Sequence, residues 1–218
     1  IILKSKLAYF YKNNNFILKE KRKVDLNKTL KKTCELLYEK KIINQITGEN
    51  FPCVPALGEK EYFVLERALV EYLGIRGYGV HLIAYIKNKN NIKIWIPLRS
   101  KTKRVEPNKL DNTVAGGIAA GETLFQAFFR EGYEEASLKK NILNEAKQAG
   151  TLNYCWRNKP LSIRRDTLFI FDLELSKNII PKNNDGELTN FKLFKAEKII
   201  EKIKNTNEFK KNCALVLA

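Results

Sequence analysis

The chain has no methionine and one histidine, His81. Average usage would place about five methionines in this length. Positions lost as modified methionine would shorten spacings by a residue, so only motifs whose internal register is intact carry weight. Its four cysteines, Cys34, Cys53, Cys155 and Cys213, lie far apart, with no CxxC or Cys/His spacing. That excludes the usual structural zinc and disulfide frameworks and leads us to expect a reducing cytoplasm. No apolar run approaches the roughly 18 residues that span a bilayer, so no membrane association is expected. Lys and Asn interrupt the apolar residues of Ile1–Lys23, so no signal peptide is expected there. Internal repeats and low-complexity linkers are also lacking.

What is present suits a globular chain. Its 218 residues, 44% hydrophobic and 29% charged, suffice for one domain of ordinary size with a small appendage. The formal charge of +16 raises the question of nucleic acid. However, 31 of the 40 basic residues are Lys and only 9 are Arg. They are scattered, with neither an Arg-rich helix nor aromatics interleaved among basic residues, so nucleic acid is the less favoured partner.

Apolar spacing divides the chain further. Leu26, Leu30, Cys34 and Leu37 predict an amphipathic helix over Asp25–Ile46, and Leu65, Leu69 and Leu73 predict a second over Glu61–Leu73, ending at Gly74. From Gly77 the pattern becomes β-like. Tyr78–Ile86 and Ile92–Leu98 read as an antiparallel hairpin, Leu152–Trp156 and Asp166–Leu175 as further strands, and Ala196–Lys204 as a short helix. This order predicts an α/β or α+β layered fold with an N-terminal helical or α+β extension over 1–60 and the main domain over 61–218.

The segment 111–138 departs from its basic surroundings, with five acidic residues and one Arg. Its glycines, Gly116 and Gly117, suggest backbone approaching a ligand. Thr123–Ala136 reads as a helix with Leu124, Phe125, Phe128 and Phe129 on a broad apolar face. Glu131, Glu134 and Glu135 stand at i, i+3 and i+4 and so share a helix face. Their mutual repulsion is reversed by a hard divalent cation, which takes oxygen ligands. A solvated acidic face is the bland alternative.

The spacing Gly116, five residues, Glu122, seven residues, Arg130-Glu131, two residues, Glu134-Glu135, with Leu138 closing it, resembles the Nudix box. Two positions depart. Gly132 stands for a bulky aliphatic, at a helix-propensity cost of about 1 kcal/mol, and Ser137 stands for the glycine that ends the helix. The resemblance implies a Nudix α/β/α sandwich with a mixed sheet, and hydrolysis of a phosphoanhydride bond using Mg²⁺ or Mn²⁺. By that resemblance Glu131 and Glu135 are the principal metal ligands, joined by Glu134 and the Gly116 carbonyl. Arg130 and Glu122 hold Glu131 in position.

A narrower resemblance flanks the box. Leu65-Glu-Arg67, Tyr78-Gly-Val-His81, Lys93-Ile-Trp-Ile-Pro97, Leu110-Asp-Asn-Thr-Val114, Arg165-Asp-Thr-Leu-Phe169 and Asp185-Gly-Glu187 are similar to the Nudix subgroup found fused to thiamine pyrophosphokinase. That implies a small organic diphosphate as substrate, with damaged thiamine diphosphates as candidates. Asn108 stands where the subgroup has glycine, and Ile83-Ala84 replace its Asn-Gly, which leaves the substrate pocket open. The resemblance places Arg99, Lys101, Lys103, Arg104 and Gly117 where a diphosphate would lie, and makes Glu187 a distal metal ligand or general base. Each has a plainer reading: a solvated strand end for the cations, a turn for Asp185-Gly-Glu187. His81 reads as a strand residue. Trp95 and Trp156 read as core or cleft wall, with strand alternation setting Trp95 away from the apolar face. The alternatives to a small-diphosphate hydrolase are a nucleotide or RNA-cap pyrophosphohydrolase, and a non-catalytic Nudix-fold module that binds nucleic acid or protein.

Overall fold

The computed structural model describes residues 9–12, 15–18, 23–89, 91–103, 105–159 and 162–218. Arg104 and much of Ile1–Lys23, on which two of the expectations above fall, lie outside them. The chain divides into two units. One takes the described residues up to Gly77 with 118–122 and 154–166; the other takes 78–117, 123–153 and 167–218. In the N-terminal half the first unit ends at Gly77.

In the first unit, β1 (Tyr9–Lys12) and β2 (Asn15–Leu18) pair antiparallel. Helix α1 (Lys23–Glu39) buries Leu30, Cys34 and Leu37, the stripe expected from the spacing. It stops well short of Ile46, because Lys41 turns into the left-handed region at φ 56°. β3 (Asn50–Cys53) and β4 (Phe63–Glu66) pair antiparallel, with Phe51 opposite Leu65, and only Arg67–Val70 forms a helix, α2. The helix expected over Glu61–Leu73 is thus a strand followed by a single turn. Leu65, Leu69 and Leu73 do join one core with the α1 stripe, but they reach it across a strand–helix junction. The Glu66 carboxylate fixes that junction by accepting N–H bonds from Thr47 (2.9 Å), Gly48 (2.9 Å) and Ala68 (3.2 Å).

The second unit is built on a six-stranded sheet. β5 (Arg76–Asn88) and β6 (Asn91–Arg99) form the expected hairpin, paired through residues 85–88 and 91–94. β7 (Val114–Gly117) pairs antiparallel with β5 through residues 79–82. Where β6 leaves β5, the Thr113 hydroxyl bridges the gap, accepting from Ala84 N (2.9 Å) and donating to Trp95 O (2.7 Å). Helix α3 (Leu124–Ala136) and the short α4 (Lys140–Leu143) follow, then β8 (Lys147–Lys159), β9 (Ser162–Glu174), β10 (Leu188–Lys195), α5 (Ala196–Asn205) and α6 (Lys211–Leu217). Residues 154–159 of β8 and 162–166 of β9 group with the first unit.

The strand order is β10-β6-β5-β9-β8, with β7 beside β5. Leu168 lies against Gly79, and Leu175 N donates to Tyr85 O at 2.7 Å. These contacts advance in the same direction along both strands, so β9 runs parallel to β5 and the sheet is mixed, as expected. Phe128 of α3 stacks on Phe171 of β9 with ring centroids 4.2 Å apart. Leu124 is half-buried and Phe125 is exposed, so the apolar face of α3 is narrower than its sequence suggests. α5 and α6 close a cluster around Ile96, Ile199 and Phe209. Among the described residues no helix is long and apolar enough to cross a membrane.

Candidate functional site

Thr123 caps α3 with a reciprocal pair of bonds: Gln126 N donates to Thr123 Oγ1 (3.3 Å) and Thr123 N donates to Gln126 Oε1 (2.8 Å). Two turns later the helix delivers its glutamates beside β7. Glu135 is buried and accepts a bond from Ala115 N at 2.7 Å. Glu131 lies across the α-carbon of Gly116. A Cβ built on that glycine would stand 1.8 Å from Glu131 Cδ, so no other residue fits there without moving the carboxylate. The Arg130 guanidinium donates to Glu131 Oε1 (2.8 Å), Glu134 Oε2 (3.1 Å) and the Gly117 carbonyl (3.1 Å). One planar fork thereby aims a carboxylate and ties the helix to β7, which a point-charge ammonium would not do as well. Glu122 folds back on its own turn and accepts from Ala119 N at 2.9 Å.

The exit from α3 explains one departure from the motif. Ser137 adopts φ 53°, and its N–H reaches Tyr133 O while Leu138 N reaches Gly132 O. The left-handed cap that glycine normally supplies is retained by a serine. Asn108 behaves likewise, at φ 57°. Gly132 has a different cause: a Cβ there would lie 2.7 Å from Leu143 Cδ1. The volume expected of an aliphatic at 132 is thus occupied by Leu143 of α4.

Burial pushes the carboxyls of both Glu131 and Glu135 well above the ordinary range. For Glu131 the pull of Arg130 opposes this, while Glu134 and Glu187 add to it. For Glu135 the charges of Glu131 and Asp111 add to it, against the Ala115 N–H and Lys210. Among the described residues no three His, Cys, Asp or Glu side chains converge on one point. Glu131 and Glu135 instead form a coupled buried pair, and Glu134 is drawn to Arg130. Two desolvated carboxylates that each oppose the other's ionisation, offering only hard oxygen donors, fit a divalent cation such as Mg²⁺ or Mn²⁺.

The expected phosphate contacts divide. Arg99 is only 3% exposed. It pairs with Asp111 at 2.5 Å and donates to the carbonyls of Val105 and Glu106. Its guanidinium is thus engaged by the Asp111 carboxylate and by the backbone carbonyls of Val105 and Glu106. Lys101 is exposed. Lys103 ion-pairs with Glu187. The Gly117 carbonyl is taken by Arg130. Asp185-Gly-Glu187 is indeed a turn, with Gly186 at φ 83° and Glu187 N donating to Asp185 Oδ1 at 2.7 Å. His81 is buried in β5, its Nδ1 2.6 Å from Asn112 Oδ1. Trp95 is buried as well, whereas Trp156 stacks on Tyr154 at 4.1 Å.

Three residues given no role from the sequence, Asp111, Lys210 and Cys213, form a buried cluster, and the charges of the first two act on Glu135. Asp111 is fully buried, and although burial pushes its carboxyl up, Lys210 and Arg99 hold it down at about 2. Lys210 approaches Asp111 at 3.6 Å, and Cys213 Sγ donates to Asp111 Oδ1 at 2.6 Å. In the sequence Asp111 stands out only within the Leu110-Asp-Asn-Thr-Val114 run, with no role of its own.

Comparison with known proteins agrees with this geometry. The family model described as the NUDIX domain matches residues 77–214. The chain is 36% identical over 193 residues to Nudix hydrolase 20, chloroplastic, of Arabidopsis thaliana, covering 88% of this chain and 51% of that protein. It is 33% identical over 183 residues to Nudix hydrolase 24, chloroplastic, of the same plant, covering 84% and 50%. The chain thus spans about half the length of the curated relatives it matches. Its fold is similar to the crystal structure of DR0079 from Deinococcus radiodurans, with a TM-score of 0.53 and 21% identity over 77% of this chain and 97% of that one.

Proposed function

Because this chain belongs to the Nudix family, we propose that it is a divalent-metal-dependent hydrolase that cleaves a phosphoanhydride bond in a small organic diphosphate. The observation that carries the reading is the buried pair Glu131 and Glu135, laid against Gly116 and Ala115 of β7 and aimed by Arg130. A bound Mg²⁺ or Mn²⁺ would supply the positive charge that offsets these carboxylates and the charge building up on the phosphates. The residues that would hold it are Glu131 and Glu135, with Glu134 and the Gly116 carbonyl. Arg130 keeps Glu131 in one orientation, so that little reorganisation accompanies the reaction. Water attacks one phosphorus as the bond to the bridging oxygen breaks. Glu187, whose charge reaches Glu131, is our candidate to accept the proton released.

For the substrate we propose a thiamine-type diphosphate. The support is the sequence similarity to the subgroup fused to thiamine pyrophosphokinase, together with Lys101 and Lys103 in the turn after β6. Phosphate release should be measured at equal Mg²⁺ for oxidised thiamine diphosphates, nucleoside triphosphates and capped RNA. We expect the highest kcat/KM for the thiamine class. A tenfold preference for a nucleotide, about 1.4 kcal/mol of transition-state binding, would overturn the substrate and leave the metal chemistry standing.

A further inference from the structure

A short strap joins two parts of the second unit. On one side, Lys182 N donates to Ala136 O and Asn184 N to Glu134 O, both at 3.0 Å, so residues 182–184 satisfy carbonyls that the end of α3 leaves open. On the other side, Ser100 N donates to Glu187 O at 2.9 Å. The Ser100–Lys103 turn, closed by Lys103 N to Ser100 O at 3.1 Å, then presents Lys103 to the Glu187 carboxylate. Glu187 is therefore fixed by its backbone near the glutamate helix and held through its side chain by one cation. Lys103 is 21% exposed and Glu187 45%, so solvent and small anions reach the pair.

An ion pair at such partly open positions is weak, and its partners exchange readily. A diphosphate carries more negative charge than a single carboxylate, so it competes well for the same ammonium. While Lys103 is bound to Glu187, part of that carboxylate's charge is offset and one of its oxygens, Oε2, is engaged, which makes it a poorer base and a poorer ligand.

Building on the hydrolase reading, we propose that Lys103 is a positioning residue that couples substrate to Glu187: the substrate's diphosphate draws Lys103 away and releases the Glu187 carboxylate beside the glutamate site. The resting protein thus keeps Glu187 engaged until a phosphate chain arrives. This gives Lys103 a second role beyond attraction of the substrate, and makes the 182–187 strap part of the site.

The test is calorimetric titration of Mn²⁺ into the substrate-free protein, comparing wild type, Lys103→Gln, Glu187→Gln and the double variant. Circular dichroism would confirm that each is folded. If Lys103 acts through Glu187, K103Q tightens Mn²⁺ binding by about threefold or more, and the tightening disappears in the E187Q background, as expected for directly coupled residues. Lys103→Arg, which keeps the ion pair, behaves as wild type. Equal tightening by K103Q in both backgrounds would mean a general charge effect and would overturn the proposal. No tightening in either background would overturn it too. A wild-type protein that takes up no Mn²⁺ would sink the hydrolase reading itself, and the coupling with it.

Discussion

Glu131 and Gly116 are matched by exclusion: the glutamate carboxylate occupies the space that any side chain at 116 would need, 1.8 Å from the position of a Cβ. The glycine of the motif is therefore a demand for volume at β7, set by a helix side chain 15 positions further along the chain.

Gly116→Ala follows directly. The added methyl must displace Glu131, which breaks its alignment with Arg130. We expect the variant to fold, with turnover reduced by about 100-fold or more, in line with losing an oriented charge at a reacting centre. Phosphate release at saturating Mg²⁺ measures this, and a loss of less than about threefold would contradict the role given to the pair.

Arg99→Met separates the two readings of that residue. Removing one partner of a buried ion pair leaves Asp111 under-compensated and typically costs about 3–5 kcal/mol. The melting temperature should fall accordingly. In the folded fraction KM should stay within about twofold of wild type, because uniform substrate binding is not what Arg99 supplies. A large rise in KM without loss of stability would make Arg99 a substrate contact.

Most of the fold was legible in the sequence because period and turn chemistry agree there. The β5–β6 hairpin, α3 and α5 lie where spacing put them, and α1 buries the expected stripe but ends early, at Glu39. Glu61–Leu73 failed because spacing by four cannot distinguish a helix face from a strand and helix feeding the same core. The Glu66 carboxylate, which organises that junction, leaves no periodic trace. The placement of Glu131, Glu134 and Glu135 on one helix was legible because their spacing is rigid along it. The pairing of Arg99 was not, because its partner Asp111 lies across a loop whose path the sequence does not state. Asn108 and Ser137 were visible only as departures from expected glycines, yet both keep the positive φ that glycine would have had.

The left-handed backbone at Ser137 also bears on stability. A non-glycine residue in the left-handed region costs about 1 kcal/mol, partly offset by the greater freedom glycine has when unfolded. Ser137→Gly should therefore stabilise the protein by a few tenths of a kcal/mol to about 1 kcal/mol without changing turnover. Chemical denaturation checks it, and a destabilised variant would show that the serine side chain has a structural task of its own.

The buried glutamates also set a pH dependence. Their folded carboxyls hold protons more tightly than the unfolded chain does. The stability they contribute is complete below the unfolded carboxyl pKa of about 4.3 and is lost as pH climbs through the raised folded values. Asp111, held at about 2, is ionised throughout that window and adds no slope. Metal-free protein should thus melt higher at pH 5.5 than at pH 8.5, by about several degrees. Glu135→Gln should flatten the slope, and Mg²⁺ should stabilise the wild type most at the alkaline end. A wild-type slope unchanged in the variant would contradict the burial of that charge.

We propose that Glu135 works as a buried, metal-binding carboxylate rather than as a structural acceptor for Ala115. The direct test is phosphate release by Glu135→Gln at saturating Mg²⁺, alongside its melting temperature without metal. Glutamine can still accept the Ala115 N–H bond and carries no charge to desolvate, so the metal-free variant should be at least as stable as wild type. Its turnover should fall by about 100-fold or more, because a lost ligand removes several kcal/mol of charge stabilisation. A well-folded variant turning over near the wild-type rate would contradict the account.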